Sequence, residues 1–160
     1  MRTDANKMIE ARRKQLGLSE VQIAESIGTN IHSYCDIEWH ADEIYTVTEA
    51  RQIKKLCQVL RLDFFDLLGV QCAFCGEGKK FSLDYQLHRN KLVRNKREKL
   101  ELTPEELGDQ SNFYGYAIEG MERDPEYLER STVESIVELA SAIRIPLQIL
   151  FGVKCPQCGR

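Results

Sequence analysis

Two short cysteine motifs are the stretches of this sequence best suited to chemistry. Segment 69–76 reads Gly-Val-Gln-Cys-Ala-Phe-Cys-Gly, and segment 152–159 reads Gly-Val-Lys-Cys-Pro-Gln-Cys-Gly. A Cys-x-x-Cys-Gly turn presents two thiolates on one side of a tight loop, and four thiolates form a ligand set for tetrahedral zinc. The sequence therefore predicts a structural zinc ion as cofactor. Its four predicted ligands are Cys72, Cys75, Cys155 and Cys158.

The long separation of the two motifs leaves other interpretations open. The stretch between Cys75 and Cys155 exceeds the ligand spacing of ordinary zinc fingers, although a duplicated fold would bring the two motifs together. The alternatives are a redox pair in each motif, a zinc site formed between two chains, and motifs that bind no metal. Against the redox alternative, neither motif lies in the βαβ context of redox Cys-x-x-Cys pairs.

The overall composition is that of an ordinary globular protein. Of its 160 residues, 42% are hydrophobic and 29% are charged, and the net charge is -3. No apolar run reaches the length of about eighteen residues that predicts a membrane span. Residues 1–7 contain no apolar signal-peptide core, so we expect a cytoplasmic location without membrane association. In a reducing compartment, Cys-x-x-Cys pairs indicate metal or redox chemistry more often than structural disulfides.

The chain reads as an internal duplication of an all-α unit. Apolar positions of the first half recur 84 residues later, and from the fourth helix onward they recur 83 residues later, so one residue has been lost between the third and fourth helices. Each half reads as five helices, with a loop predicted over residues 40–45. The predicted domains are residues 1–76 and 81–160, and each ends in a cysteine motif.

Local signals predict where several helices begin and end. Ser19 and Asp63 are predicted N-caps, and either Thr46 or Thr48 is predicted to cap the fourth helix. Gly17 suits the turn that ends the first helix.

The first half resembles the Cro/repressor-like helix-turn-helix family, also known as the xenobiotic-response-element type. The resemblance is carried by segment 18–28, Leu-Ser-Glu-Val-Gln-Ile-Ala-Glu-Ser-Ile-Gly, and by the Ile-Glu pair at 37–38. It covers about residues 4–69 and again about 84–152. In the second half, Glu101, Gly108 and Asn112 depart from the pattern of the first. The resemblance implies two tandem five-helix lambda-repressor-like helix-turn-helix domains.

The resemblance also implies specific roles for individual residues. Arg13 with Glu38, and Arg97 with Glu122, match a partly buried ion pair that joins the first and third helices in this family. The third helix is expected to enter the DNA major groove, while the start of the second helix contacts phosphate. The implied DNA-binding residues are Ser19, Asn30, Ile31, His32, Ser33, Thr103, Tyr114, Gly115 and Tyr116.

The resulting hypothesis is a transcriptional regulator that binds double-stranded DNA, as a single-chain pseudo-dimer or as a homodimer. Its two recognition helices would lie roughly 34 Å apart, one turn of DNA. Zinc would join the two halves. The sequence contains no Ser/His/Asp constellation and no phosphate-binding loop, so we do not expect an enzyme.

Charge weakens the DNA hypothesis. The predicted third helix of the first half contains no lysine or arginine, and Glu20 and Pro104 occupy positions where the family favours a phosphate-contacting glutamine. Proteins that neutralise few phosphates lose the main source of DNA affinity. The alternative hypothesis is a degenerate helix-turn-helix module that binds a protein partner, as an antitoxin or adaptor. A third is a metal- or thiol-responsive sensor.

Overall fold

The computed structural model of the protein describes residues 4–75 and 88–159. Within these ranges the regular structure is entirely helical, with eleven α-helices and one 3-10 helix, which confirms the predicted all-α class. The chain divides into two compact units, Met1–Gln71 and Cys72–Arg160. The predicted domain ends at 76 and 81, together with Gly76, lie outside the described residues. Among the described residues, no helix combines the length and apolar character needed to span a bilayer.

The first unit contains six helices. They are α1 (Ala5–Gln15), α2 (Glu20–Ile27), α3 (Ile31–Trp39), α4 (Glu43–Thr46), α5 (Ala50–Leu60) and α6 (Phe64–Leu68). The predicted loop over residues 40–45 is therefore wrong in part, because α4 begins inside it. Ile44 is fully buried and Tyr45 is 7% exposed, so burial of these two side chains organises a single turn too short to show helical periodicity.

The second unit contains five α-helices and a 3-10 helix in the same order. They are α7 (Arg89–Lys99), α8 (Pro104–Gln110), α9 (Gly115–Arg123), the 3-10 helix (Tyr127–Arg130), α10 (Val133–Ala142) and α11 (Leu147–Phe151). Each unit thus has six short elements where five helices were predicted. The connection from α9 to α10 is one residue shorter than that from α3 to α5, which is where the sequence indicates the loss.

Helix-capping side chains explain several of these boundaries. Ser19 forms a capping box with Gln22 at the start of α2, and Asp63 accepts from two backbone N–H groups of α6. The predicted threonine cap of α5 is wrong, because Glu49 is the N-cap residue. The Thr48 hydroxyl instead donates to the carbonyl of Glu43, 3.0 Å away, and so closes the end of α4.

Left-handed backbone turns recur at matching positions of the two units. The first and second helices end in such turns at Gly17 and Gly28 in the first unit. In the second unit the same turns occur at Glu101 (φ 58°) and Asn112 (φ 55°), although a non-glycine residue in this region costs of order 1–3 kcal/mol. The departures from the sequence pattern therefore leave the backbone geometry intact.

Each unit has its own core of matched apolar side chains. In the first unit α2 packs against α3 and α5, and in the second α8 packs against α9 and α10. Fully buried side chains of the first unit include Ile9, Ile23, Tyr34, Ile53, Leu56 and Leu67, and those at the corresponding positions of the second are Val93, Leu107, Ile118, Ile136, Leu139 and Leu150.

A buried ion pair joins α1 to α3 in the first unit. Arg13 Nε donates to Glu38 Oε1 at 2.6 Å, and Nη2 donates to Glu38 Oε2 at 2.7 Å. The hydroxyl of Tyr34 donates to the same carboxylate at 2.5 Å. The hydrogen bond to Glu38 raises the pKa of Arg13, and burial together with the Glu38 carboxylate raises that of Tyr34. The first and third helices are thus joined by charge-assisted, bidentate hydrogen bonds.

The second unit contains the same pair with a different supporting residue. Arg97 Nε donates to Glu122 Oε1 at 2.6 Å and Nη2 donates to Oε2 at 3.0 Å. Ile118 occupies the position of Tyr34, so no hydroxyl is available there. Arg94 supplies the missing hydrogen bond, with Nε 3.3 Å from Glu122 Oε2. The buried carboxylate is therefore satisfied in both units by different third partners.

We expect Arg13→Met to lower the free energy of unfolding of the first unit by about 3–5 kcal/mol, because Glu38 would keep its charge in a buried position without its cation. Urea denaturation followed through Trp39, the single tryptophan, measures this loss. Lys14→Met is the matched control, because Lys14 forms only an exposed pair with Glu10 and should contribute less than about 1 kcal/mol. Equal losses in the two variants would contradict a stabilising role for the buried pair.

Candidate metal centre and recognition helices

The same helix-ending turn leads into each cysteine motif. α6 ends at Gly69 (φ 64°) and α11 ends at Gly152 (φ 68°), both left-handed. The N–H of the following valine donates back to the helix in each case, from Val70 to the Phe65 carbonyl and from Val153 to the Gln148 carbonyl, both at 3.0 Å. This pattern terminates the helix and turns the chain, so each Cys-x-x-Cys segment begins at the same distance from its helix.

The four predicted ligands come together in the structure. The sulfur atoms of Cys72, Cys75, Cys155 and Cys158 all lie within 4.8 Å of one another. Sγ of Cys72 is 3.7 Å from Sγ of Cys158, and Sγ of Cys75 is 3.5 Å from Sγ of Cys155. All four thiols are free, and all four belong to the unit Cys72–Arg160. These four side chains could hold a metal ion.

The sulfur separations fit a tetrahedral metal site better than disulfides. Four sulfur ligands about 2.3 Å from a zinc ion stand about 3.8 Å apart at the corners of a regular tetrahedron. A disulfide needs its sulfur atoms about 2.05 Å apart. Both short contacts also join one motif to the other, not the two cysteines of one Cys-x-x-Cys segment.

The protein surroundings shift the pKa values of two neighbouring thiols in opposite directions. Burial acts to raise the pKa of Cys72, but hydrogen bonds from the Phe74 N–H, the Gln148 side chain and the Cys75 N–H outweigh it and lower that pKa to about 6. The hydrogen bond of Cys75 to Cys155, together with burial, raises the pKa of Cys75 to about 12. One thiolate is favoured while a second is disfavoured, as expected where like charges gather without a counter-charge.

Gln148 is the residue of this site that sequence reasoning missed. It lies on α11 and is 3% exposed. Its Nε2 donates to Cys72 Sγ at 3.2 Å, and its Oε1 accepts from the Ala73 N–H at 3.0 Å. One side chain therefore holds both the sulfur and the backbone of the first motif against α11.

A sequence signal for Gln148 does exist. It is the polar residue in a short helix that otherwise reads Leu-Ile-Leu-Phe, and the matching position of the first unit is the apolar Phe65. A buried polar side chain requires a hydrogen-bond partner. The hydrogen-bond partner is not in the cysteine motif that follows α11. It is in the other motif, at the start of the unit, to which Gln148 bonds.

Backbone turns hold the two motifs in different ways. In the second motif, Gly159 (φ 71°) donates its N–H to the Cys155 carbonyl at 2.8 Å, so this glycine closes the turn on itself. In the first motif, the Phe74 N–H points at Cys72 Sγ at 3.4 Å, and the Phe74 residue is 6% exposed. The Phe74 residue thus contributes both a buried contact and a donor to sulfur.

Several predicted DNA-binding residues serve first as helix caps. Ser19 and Thr103 are the N-caps of α2 and α8, and both form capping boxes. Asn30 caps α3, accepting from the Ser33 N–H at 2.9 Å and donating to the Ser33 hydroxyl at 2.9 Å. These side chains are positioned at helix N-termini, but their polar atoms are already engaged within the chain.

The start of α9 presents a different surface. Tyr114 and Tyr116 are 72% and 73% exposed, and their rings stack with centroids 5.4 Å apart and an interplanar angle of 8°. The matching residues of the first unit are Asn30 and His32, both exposed. The third helices of the two units, α3 and α9, have therefore diverged in surface chemistry while keeping the same backbone.

The segments that contain the second and third helices of each unit lack lysine and arginine. Neither residue type occurs in segment 16–50 or in segment 101–122 of the chain. Carboxylates do occur there, and the buried Glu38 and Glu122 are neutralised by their arginines while Glu25, Glu105 and Asp109 are exposed. Both segments consequently carry more negative than positive charge.

We expect Gln148→Leu to weaken zinc binding by about 10–100-fold, since removal of a hydrogen-bond partner of a metal ligand has effects of this size. Competition with a chromophoric chelator measures the change. The matched control is Gln157→Leu, the same replacement at an exposed position between Cys155 and Cys158. Equal affinities of the two variants would mean that Gln148 does not support the ligand Cys72.

Comparisons with known proteins add no identification to this geometry. No family model, no curated protein and no solved structure matches the chain. The helix-turn-helix resemblance accordingly stands on the residues, their spacing and the order of the helices.

Proposed function

We propose that the chain is a regulatory binding protein of helix-turn-helix type, stabilised by a structural zinc ion, whose recognition surfaces bind a protein partner. The observation that carries the zinc assignment is the cluster of four cysteine sulfurs within 4.8 Å of one another. Soft thiolate ligands in a set of four favour zinc or an iron–sulfur centre over calcium or magnesium. Zinc is the simpler occupant, because it needs only these four ligands.

Four protein ligands leave no open coordination position, so the ion would have a structural role and not a catalytic one. Cys72 directly follows the first compact unit, while Cys155 and Cys158 lie near the C-terminal end of the second. Metal binding would therefore tie the first residues of the second unit to its last turn. For a small unit, this constraint contributes directly to folding stability.

The helix-turn-helix assignment is supported by three features of the described residues. The six elements recur in the same order, the left-handed turns recur at Glu101 and Asn112, and an Arg–Glu pair joins the first and third helices of each unit. The pair and the turns fix the third helix against the first two. A rigid helix with an exposed N-terminal turn is the element that this fold type uses for recognition.

The preference for a protein partner rests on charge. Phosphate neutralisation by lysine and arginine supplies most of the non-specific affinity for DNA, and neither residue type occurs in segments 16–50 and 101–122. Exposed tyrosines, by contrast, are typical of protein interfaces. A negative surface with an exposed aromatic pair therefore fits protein recognition better than it fits duplex DNA.

Duplex DNA is the second candidate partner, and one observation favours it. Lys55 on α5 is exposed, and its ammonium lies 4.0 Å from the position that a Cβ at Gly28 would take, beside the turn between α2 and α3. His32 is exposed on the first turn of α3. Together they provide one cation and one base-reading donor for the first unit.

We expect the purified protein to contain an equimolar amount of zinc, and Cys155→Ser to lose it, because three thiolates and an alcohol bind zinc much more weakly than four thiolates. Elemental analysis of the protein measures the metal content. Cys35→Ser is the control, because Cys35 lies outside the cluster and contacts Glu20 instead. Unchanged zinc in Cys155→Ser would remove this residue from the ligand set.

We expect no binding of duplex DNA even at low salt, because the recognition surfaces offer phosphate almost no positive charge. A fluorescence-anisotropy titration at several salt concentrations measures this. Binding that weakens steeply with salt, and that is reduced by Lys55→Gln but not by Lys91→Gln on α7, would instead support the DNA candidate and contradict the choice of a protein partner.

A further inference from the structure

We infer that the exposed surface around Tyr114, Tyr116 and Glu105 of the second unit is a docking site for a lysine- or arginine-rich segment of a partner protein. We call this surface the tyrosine–carboxylate face. The inference rests on the proposed function, since it assigns a partner chemistry to one of the two recognition surfaces.

The tyrosine pair is built as a preformed aromatic platform. The two rings are nearly parallel, their centroids are 5.4 Å apart, and each residue is more than 70% exposed. Stacking orders both side chains before any partner arrives, so little conformational entropy remains to be lost on binding. Tyrosine is also among the residues enriched at the energetic centres of protein interfaces.

A carboxylate approaches the backbone of the residue that separates the two tyrosines in the chain. Glu105 extends from α8 towards Gly115, the residue between the two tyrosines, and a Cβ at Gly115 would stand 3.0 Å from Glu105 Oε1. The absence of a side chain at Gly115 lets the carboxylate approach the backbone between the rings. Glu105 also offsets the partial positive charge at the N-terminus of α9.

Further charges on α8 reinforce this negative character. Glu106 and Asp109 are exposed on the same helix as Glu105. Segment 101–122 contains no lysine, arginine or histidine. The first cation beyond it, Arg123, donates to Glu119 at 2.9 Å. The tyrosine–carboxylate face thus combines exposed aromatic rings with exposed carboxylates.

A cationic side chain is the group that satisfies both features at once. A guanidinium or ammonium is attracted to the face of a tyrosine ring by cation–π interaction. The same group forms a charge-assisted hydrogen bond with a carboxylate such as Glu105. Phosphate groups of a nucleic acid would meet only negative charge here, which is why a protein segment is the favoured occupant.

The first unit lacks this combination and serves as an internal control. At the positions of Tyr114 and Tyr116 it has Asn30 and His32, and at the position of Glu105 it has Val21. The backbone turn is the same in both units. Any difference in peptide binding between the two surfaces would therefore come from these side chains.

The test uses the full-length protein and a short fluorescent peptide rich in arginine and lysine, with binding measured by anisotropy. We expect the double variant Tyr114→Ser/Tyr116→Ser to weaken binding about tenfold or more, as for central interface residues. Glu105→Gln should weaken it and reduce its salt dependence. The matched controls in the first unit are Trp39→Ser, which removes an aromatic side chain of similar exposure (69%), and Glu25→Gln, which neutralises an exposed carboxylate. Both controls should bind the peptide as the parent protein does.

Four results would overturn the inference. Peptide binding unchanged by the tyrosine replacements would leave a protein-binding function in place but remove this face as its site. Equal binding of an acidic peptide would exclude charge recognition. If the protein self-associates in sedimentation and the tyrosine replacements abolish this, the occupant of the face is a second copy of the chain. If the protein binds duplex DNA and the tyrosine replacements abolish that binding, both this inference and the proposed function are contradicted. The first result, by contrast, contradicts this inference alone.

Discussion

An ion pair formed by a buried carboxylate is the interaction that positions the third helix of each unit. Glu38 and Glu122 lie near the ends of α3 and α9, each is at most 6% exposed, and each accepts two hydrogen bonds from one arginine of the preceding first helix. A buried charge without its partner is strongly destabilising, so the first and third helices can separate only at a large cost. The pair therefore fixes the third helix while leaving its N-terminal turn exposed.

The cysteine cluster places a second constraint on the chain. Four thiolates in one place would repel one another. Hydrogen bonds lower the pKa of Cys72, while the hydrogen bond to Cys155 and burial raise that of Cys75, so the protein alone does not favour four thiolates. A divalent cation removes the conflict, because it offsets the negative charge and takes all four sulfurs as ligands. Gln148 on α11 adds hydrogen bonds to the first cysteine motif, whereas the second motif follows α11 directly. The proposed zinc site thus needs support from a residue that its own motifs do not contain.

Two copies of one backbone present different surfaces. Tyr114 and Tyr116 in the second unit replace Asn30 and His32 in the first, with the preceding left-handed turn unchanged. Surface side chains at the start of a rigid helix can change without loss of stability, because they contribute little to the core. A duplicated fold can therefore keep its structure while its two exposed surfaces differ in chemistry.

The local features of this protein follow from its sequence alone. Capping by Ser19 and Asp63 and helical periodicity are short-range signals, while the repeat and the two motifs that hold the four candidate ligands are patterns of residue type that the chain shows directly. Only the tertiary structure decided three other features: the helix at residues 43–46, the hydrogen bonds of Gln148 to the first cysteine motif, and the stacking of the two tyrosines beside Glu105. Each of these depends on which side chains meet across the fold. A turn that is organised by burial has no periodic signature, and a polar residue in an apolar helix does not reveal that its partner is a sulfur 76 positions away.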